Sequence, residues 1–479
     1  MLARAWKWIA AASAVAQIAS AALPDVDLDD NDSIAAVAKI VAQDMMSFYP
    51  PYGGSAPGWT IGILPGPPPE PSVKGQYFWW QAGAMWGTLL DYRHQTGDDS
   101  FDQWITQAML AQVGEQLDFN PRNWSLSMGN DDQAPPEDQP QWLALAQGTL
   151  HSQMNMNRRI DPNANTPCAW GLRWQVFSGN TGYDYINTIS NGCFMNMAVR
   201  VGRYTGNSSY YEWAEKTYDF MRGLKYISDD YQVFDGAHEP HQCRDINNLT
   251  FSYNAAIVLQ SAAYMYNVTD GAEKWKREID GILNRTIISF FGDTGVPLER
   301  NCELVAEEGC NTDMRSFKGY LHRWLASTMK MAPYTEPTIM PLLRSSLRAA
   351  LKTCTGGANG RMCGFHWREG RFIAGPGKAD DVPGVSEQMN VLGALLSVMR
   401  TESVRPPLTN ATGGTSGGDY NAGTNGDYDP YDRFRPVTTA DRAGAGVATA
   451  VFVGVFAGMM AWLNWDQMRG GGAGLFPVT

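Results

Sequence analysis

The sequence predicts an all-α protein, an (α/α)6 barrel or toroid, and three observations predict it. After roughly the first two dozen residues, apolar side chains recur at helical spacing almost everywhere, and convincing strands are few. The helices alternate in character. Segments such as YFWWQAGAMWGTLL and ISNGCFMNMAVRV are apolar nearly all round, whereas their partners are apolar on one face only. A cadence joins members of pairs: YRHQTGDDSFDQW at Tyr92–Trp104, YTGNSSYYEW at Tyr204–Trp213 and YNVTDGAEKW at Tyr266–Trp275. In each, a small-residue helix ends in Tyr and a Gly-containing turn, and a more polar helix then brings in Trp. Buried helices would form an inner ring and one-faced helices an outer shield.

In chain order the helices fall at 34–48, 76–95, 99–117, 141–155, 188–204, 209–225, 252–267, 272–290, 314–331, 337–352 and 385–400. That is eleven where the barrel needs twelve. The alternation breaks once: outer helix 99–117 is followed by outer-looking helix 141–155 with no inner helix between. The vacant slot starts at Asp131-Asp132, and Ala134 runs directly into Pro135-Pro136, which forbid a helix past its first turn. The predicted barrel therefore lacks most of its fourth helix.

The ends carry addresses. Residues 1–22 have Arg4 and Lys7, an apolar run from Trp8 to Ile18 and small residues after it, the pattern of a secretory signal peptide. Sequons start at Asn31, Asn123, Asn207, Asn248, Asn267, Asn284 and Asn410, as in a secreted glycoprotein. Residues 23–405 form the catalytic-sized domain. Residues 406–443 are Gly, Ser and Asn rich, a flexible stalk. Residues 444–479 open with a bilayer-length apolar run, Gly444–Leu463. Stalk plus tail reads as a GPI attachment signal, with small residues near Asn421-Ala422-Gly423 or Asn425-Gly426 for attachment. Because Asn464–Thr479 follow the run, a single-pass helix is the alternative. Either way the protein is expected at the cell surface, at the plasma membrane or wall, on the extracellular face, and as a monomer. Seven cysteines in a secreted chain favour disulfides: Cys302–Cys310 and Cys354–Cys363 by proximity and Cys168–Cys243 as the third, leaving Cys193 as a buried free thiol.

Net charge −12 excludes a nucleic-acid partner, which needs basic stripes. Adjacent carboxylates at Asp131 and Asp132 can flank a sugar, one attacking the anomeric carbon and the other protonating the leaving oxygen. Asp-Asp after Gly129-Asn130 is ordinarily a helix N-cap, so the pair alone decides nothing. Trp79, Trp80, Tyr253, Asn254 and Asn191 begin inner helices and could line a sugar cleft, with core packing as the alternative. His238-Glu239-Pro240-His241 is a poor metal site on a Pro-containing loop, and DVDLDDND at 25–32 lacks the Gly and terminal Glu of a calcium loop. No P-loop, dinucleotide fingerprint or nucleophile elbow occurs; neither a cofactor nor a metal is expected.

Several of these stretches together resemble the fungal mannan endo-1,6-α-mannosidase family, glycoside hydrolase family 76, in its GPI-anchored cell-wall branch. They are YFWWQAGAMWGTLLDYRHQTGD, the MGNDDQ turn, CAWGLRWQVF, GYDYINTISNGCFMNMAVRVGRYTGN, VFDGAH, FSYNAAIVLQSAAYMYN, CNTDMRSFKGYLHRW and SEQMNVLGALLSV, in collinear order over about residues 30–402. The resemblance implies an (α/α)6 barrel and retaining attack on α-1,6-mannan, with the carboxyl groups about 5–5.5 Å apart. Asp131 would be the nucleophile and Asp132 the general acid/base, with Trp79, Asn130, Asn191, Tyr253 and Asn254 binding substrate. It further implies mannan or a GPI glycan as substrate, wall glucan as a candidate acceptor, and a role in wall building. Two departures stand out. The family's apolar helix after Asp-Asp-Gln is absent here, which raises a catalytically inactive mannan-binding protein as the alternative. Gln81 stands where the family usually has Glu.

Overall fold

The computed structural model describes residues 22–54, 56–70, 73–119, 141–155, 158–305, 309–400, 407–424 and 439–463. The chain divides into two compact units, Met1–Gly426 and Asp427–Thr479. In the first, helices α1 (Asn31–Met46), α2 (Trp79–Thr96), α3 (Asp102–Leu110), α4 (Trp142–Met154), α5 (Thr188–Thr205), α6 (Ser209–Gly223), α7 (Ser252–Val268), α8 (Glu273–Thr286), α9 (Phe317–Met331), α10 (Glu336–Lys352) and α11 (Val385–Ser397) follow one another. Apart from a single four-residue helical turn at Arg300–Glu303, they are eleven among the described residues, as the periodicity requires.

Burial sorts them into two layers. In α7 every residue from Asn254 to Met265 is buried, and in α11 every residue from Val385 to Ser397. By contrast, α8 buries Trp275, Ile279, Ile282 and Leu283 on one face and, apart from the buried Glu278, turns its charges outward. The buried helices pack in the order α5–α7–α9–α11–α2, five members of an inner ring. Each is shielded by its one-faced sequence neighbour, for example α5 by α6 and α7 by α8. The sixth inner place, between α2 and α5, falls in chain order to residues 120–140, outside the described residues.

Local chemistry sets the helix ends. The side chain of Asp30 caps α1 by accepting from Asp32 N, and that of Asn187 caps α5 by accepting from Ser190 N. Gly97 and Gly206 end α2 and α5 in the left-handed conformation, φ 75° and 73°, where a side chain would be strained. The third helix is shorter than expected: it stops at Leu110 because the chain turns at Gly114, whose N–H donates to Asp118 O, and Leu117 takes φ 59°. α9 is approached through a 3-10 turn, Met314–Ser316, so it starts later than its periodicity implies.

A short two-stranded sheet, β1 (Tyr185–Asn187) with β2 (Gly236–His238), pairs antiparallel with Ile186 opposite Ala237. The three disulfides are Cys168–Cys243, Cys302–Cys310 and Cys354–Cys363, the expected pairing. Cys193 is free but exposed, not buried. The apolar pattern around it, with Phe194 and Met195 fully buried, correctly marks α5, but Cys193 itself lies on another side of the helix. Surrounding protein still desolvates it and pushes its thiol up to about 12.

Residues 407–424, where composition predicts the start of a flexible stalk, lie along α4 and the end of α5. Leu143 N donates to Ser416 Oγ at 2.9 Å, Asp419 N to Gln147 Oε1 at 2.8 Å and Gly423 N to Gln116 O at 3.0 Å. Small residues allow this approach: a Cβ on Gly423 would stand 2.0 Å from Gly148 O. Glycine-rich composition here serves close backbone packing rather than freedom. In the second unit, α12 (Thr439–Leu463) contains Arg442–Trp462, 21 residues of mean hydropathy 1.8, long and apolar enough to cross a membrane by length and composition. Of the sequon asparagines among the described residues, Asn248, Asn267, Asn284 and Asn410 are exposed and Asn31 and Asn207 are half-buried.

Candidate active site

The N-terminal ends of the five inner helices touch one another around one face of the barrel. Gln81 near the start of α2 donates to Thr312 O ahead of α9, and to Ser386 Oγ at the start of α11. Its Oε1 accepts from Phe78 N. An amide suits this place, since a carboxylate could not donate to Thr312 O; Gln81 here belongs to the scaffold. Tyr77 OH accepts from Val385 N. On the other side, Tyr253 of α7 stacks on Phe317 of α9, with ring centroids 3.9 Å apart and planes within 10°.

On this face two tryptophans stay open to solvent, Trp79 at 40% and Trp80 at 39%. Core packing does not use their faces fully. Trp79 donates its indole N–H to Gln112 Oε1 at 3.0 Å, which fixes its plane. The Trp80 ring lies 6.1 Å from Tyr320, which in turn stacks on Trp324. Flat, oriented indoles next to water suit the apolar faces of sugar rings.

Two carboxyls that sequence reasoning did not single out complete the face. Asp313, in the turn before α9, is desolvated, which raises it to about 6, while a hydrogen bond from Trp80 draws it back down. Its Oδ1 is buried with no hydrogen-bond partner. Asp235, just before β2, accepts from Tyr185 OH at 2.8 Å and from Asn254 Nδ2 at 2.9 Å. Burial raises it too, against the lowering effect of both bonds. The signal available in the sequence was an Asp inside VFDGAH, just ahead of β2, and another inside CNTDMRSF, just ahead of inner helix α9.

The expected sugar ligands fare differently. Trp79 and Tyr253 reach the face. Asn254 is buried and donates to Asp235. Asn191 departs from the expectation: it is fully buried, its Nδ2 donates to Asn187 O and Leu172 O, and its Oδ1 accepts from Leu172 N. It pins the CAWGLRW loop to α5 and has no group left for a sugar. Asn130, Asp131 and Asp132 lie outside the described residues.

The family model for glycosyl hydrolase family 76 matches residues 33–411. The chain belongs to this family. A mannan endo-1,6-alpha-mannosidase, DCW1 of Saccharomyces cerevisiae, is 36% identical over 445 residues, covering 89% of this chain and 92% of that protein. The DFG5 mannan endo-1,6-alpha-mannosidase of the same yeast is 35% identical over 459 residues, covering 92% and 94%. Among solved structures, Dfg5 from Chaetomium thermophilum in complex with glucosamine is similar with 43% identity and TM-score 0.74, covering 84% of this chain and 98% of that one. An inactive variant of an α-1,6-mannanase from Salegentibacter, with two adjacent aspartates changed to asparagine and α-1,6-mannotriose bound, shares the fold at 14% identity and TM-score 0.51, covering 76% and 99%. The family 76 protein described here is thus a glycoside hydrolase on an all-α barrel.

Proposed function

We propose that this family 76 enzyme is an endo-acting, retaining glycosidase or transglycosidase on α-1,6-linked mannan, or on a GPI glycan of the same linkage. Asp131 is the nucleophile and Asp132 the general acid/base. The observation that carries the reading is the face at the inner helix N-termini. It sets two solvent-open indoles, Trp79 and Trp80, beside Asp313, whose buried oxygen has no partner, and Asp235. The indoles would seat sugar rings, and the two carboxyls would take hydroxyls or steady developing positive charge at the anomeric carbon. The Asp131-Asp132 pair opens the segment that belongs, in chain order, to the ring's sixth place. Mannan-directed relatives at 35–36% identity and the inactive adjacent-aspartate variant of the bacterial mannanase agree with this reading.

Reducing-end release from α-1,6-mannan by the full chain tests it. Asp131→Asn and Asp132→Asn should each lower the rate by about 10²–10⁴-fold or more. Wild-type rates in either variant would sink the assignment. Transfer onto glucan is read by the same assay with labelled glucan present: label in a mannan-linked product marks a transglycosidase, and reducing ends alone mark a hydrolase.

One observation favours a second reading, a mannan-binding wall protein without catalysis. Pro135-Pro136 follow the aspartates directly and leave no room for the family's helix. Retained mannan binding with no turnover in the wild type would select it. In either case α12 and the preceding residues act as a tether to the extracellular face of the membrane, through a GPI anchor or a single span. Release by phosphatidylinositol-specific phospholipase would show the former, and a 464–479 peptide in the mature protein the latter.

A further inference from the structure

The segment joining β2 to α7 brings together two imidazoles and a carboxylate that the catalytic reading does not use. His238 ends β2, the 3-10 turn Glu239–His241 carries the chain round, and Asp245 follows Cys243. His238 Nδ1 and His241 Nδ1 lie 2.8 and 2.7 Å from the same oxygen, Asp245 Oδ2. One ligand atom from each of the three falls within 4.8 Å of the other two. In the sequence this stretch reads as a poor metal site, because Pro240 breaks regular spacing. The fold reverses that judgement by using the Pro-containing turn to swing His241 back toward His238.

The cluster is fixed from several sides. Asp245 Oδ1 accepts the backbone N–H of His238 at 3.0 Å, which sets the carboxylate's plane. Cys243 N donates to His238 O at 3.0 Å, and Cys243 is held by its disulfide to Cys168. Gln242 and Cys243 both take left-handed backbone, φ 56° and 53°, conformations that non-glycine residues rarely adopt. The adjacent carboxylate, Glu239, is engaged by Arg173 and does not join the cluster. These bonds already hold the loop. Convergence of both imidazoles on one oxygen is an additional feature, and it is the donor set that a borderline transition cation selects.

We propose that His238, His241 and Asp245 form a surface site for a divalent transition cation of the zinc class. Two nitrogens and one carboxylate oxygen suit zinc, with water completing four-coordination, whereas calcium and magnesium prefer oxygen alone. On binding, the cation replaces the ring protons that now point at Asp245. The site touches the sugar face through one residue. The His238 ring lies 4.8 Å from Tyr185, and Tyr185 OH donates to Asp235. A bound cation thus stiffens the support under Asp235 without joining the chemistry.

The test uses the purified full-length chain in detergent, stripped of metal with a chelator and dialysed against micromolar zinc alone, with bound zinc counted by mass spectrometry. One tightly held zinc per chain is expected, and binding should weaken about tenfold or more when one ligand is removed. His241→Ala is the principal variant, because its side chain is 65% exposed and its loss leaves the core untouched. Asp245→Asn is the second, and should also lose the metal. No stoichiometric zinc on the wild type, or undiminished zinc on His241→Ala, would overturn the site.

Discussion

The inner ring is secured differently on its two sides. Around α7, α9 and α11, buried charges and amides interlock. Lys318 Nζ, wholly buried, meets Glu303 Oε1 at 2.8 Å and donates to Phe365 O at 2.7 Å. Arg315 pairs with Glu387. Asn390 joins helices by accepting from Gly319 N and donating to Arg315 O. On the side between α2 and α5, the described residues rely on close backbone contact among small residues. Gly148 packs against the Leu117 carbonyl, and Gly423 packs on Gly148. One side is tied by buried charges and amides, and the other depends, besides the hydrogen bonds of 407–424, on nothing larger than hydrogen at Gly148 and Gly423. On the proposed function, Asp131 and Asp132 fall in chain order to the second side. A site whose carboxylates must hold position to about 0.5 Å would then border the less redundant part of the ring.

The largest effect expected from this contrast comes from filling the sixth place. Inserting a family-like apolar helix between Ala134 and Pro135 adds several large side chains to the core, each contributing about 1.5–3 kcal/mol when buried. A clear rise in the full chain's melting temperature, with more mannan hydrolysis, is the expected result. Equal melting and equal activity would show the two sides to be equivalent after all.

Next in size is a break on the interlocked side. Lys318→Met removes the cation and leaves the buried Glu303 carboxylate with the Glu299 N–H at 2.6 Å and His366 at 3.4 Å. Burial pushes Glu303 up, and Lys318 is the leading influence that holds it below the usual range. Losing that partner should cost about 3–5 kcal/mol in denaturant unfolding. A cost below about 1 kcal/mol would mean that the network relaxes easily, and the contrast between the sides would fail.

Gly423→Ala probes the other side with a smaller change. The new Cβ would meet Gly148 O at 2.0 Å, in backbone of φ 70°. The expected penalty is about 1–3 kcal/mol, confined to the docking of 407–424. Hydrogen exchange should therefore quicken at 407–424 and leave α7 and α11 unchanged. Uniform protection would show that the segment is not held by this contact.

The sequence showed the barrel plainly because helical period and alternating burial are local properties: α7 is apolar all round, and α8 is not. Cys302–Cys310 and Cys354–Cys363 followed from spacing in a secreted chain, and Cys168–Cys243 from both lying in polar loops. Asn191 was misjudged because its position at a helix start is visible in sequence, while the Leu172 backbone that uses it lies in a loop 19 residues away. Asp235 and Asp313 escaped notice for the converse reason. Asp313 before α9 reads as a cap and Asp235 before β2 as a loop residue, and only the fold shows that Asp235 is gripped by Tyr185 and Asn254 while Asp313 keeps a buried oxygen with no hydrogen-bond partner. Segment 407–424 was misread because glycine-rich composition describes both a loose tether and a backbone made to pack closely.

The smallest expected effect concerns Asp313, where the sugar face meets the interlocked side at α9. Its folded pKa, about 6, stands above the ordinary 3.8 because of burial. The folded chain therefore holds a proton that the unfolded chain releases between about pH 4 and pH 6. The stabilisation is complete below about pH 4 and is lost as pH rises through about 6. With partial solvent access, its size is on the order of 1 kcal/mol. Asp313→Asn cannot ionise and lacks this dependence. Measured against that variant, the wild type should lose about that much stability between pH 4 and pH 7, read as diverging melting curves. On the mannan assay the same variant should be slower, because an amide replaces the acceptor oxygen offered to substrate. Parallel melting curves would show that Asp313 is well solvated, and that its open oxygen faces water rather than a sugar.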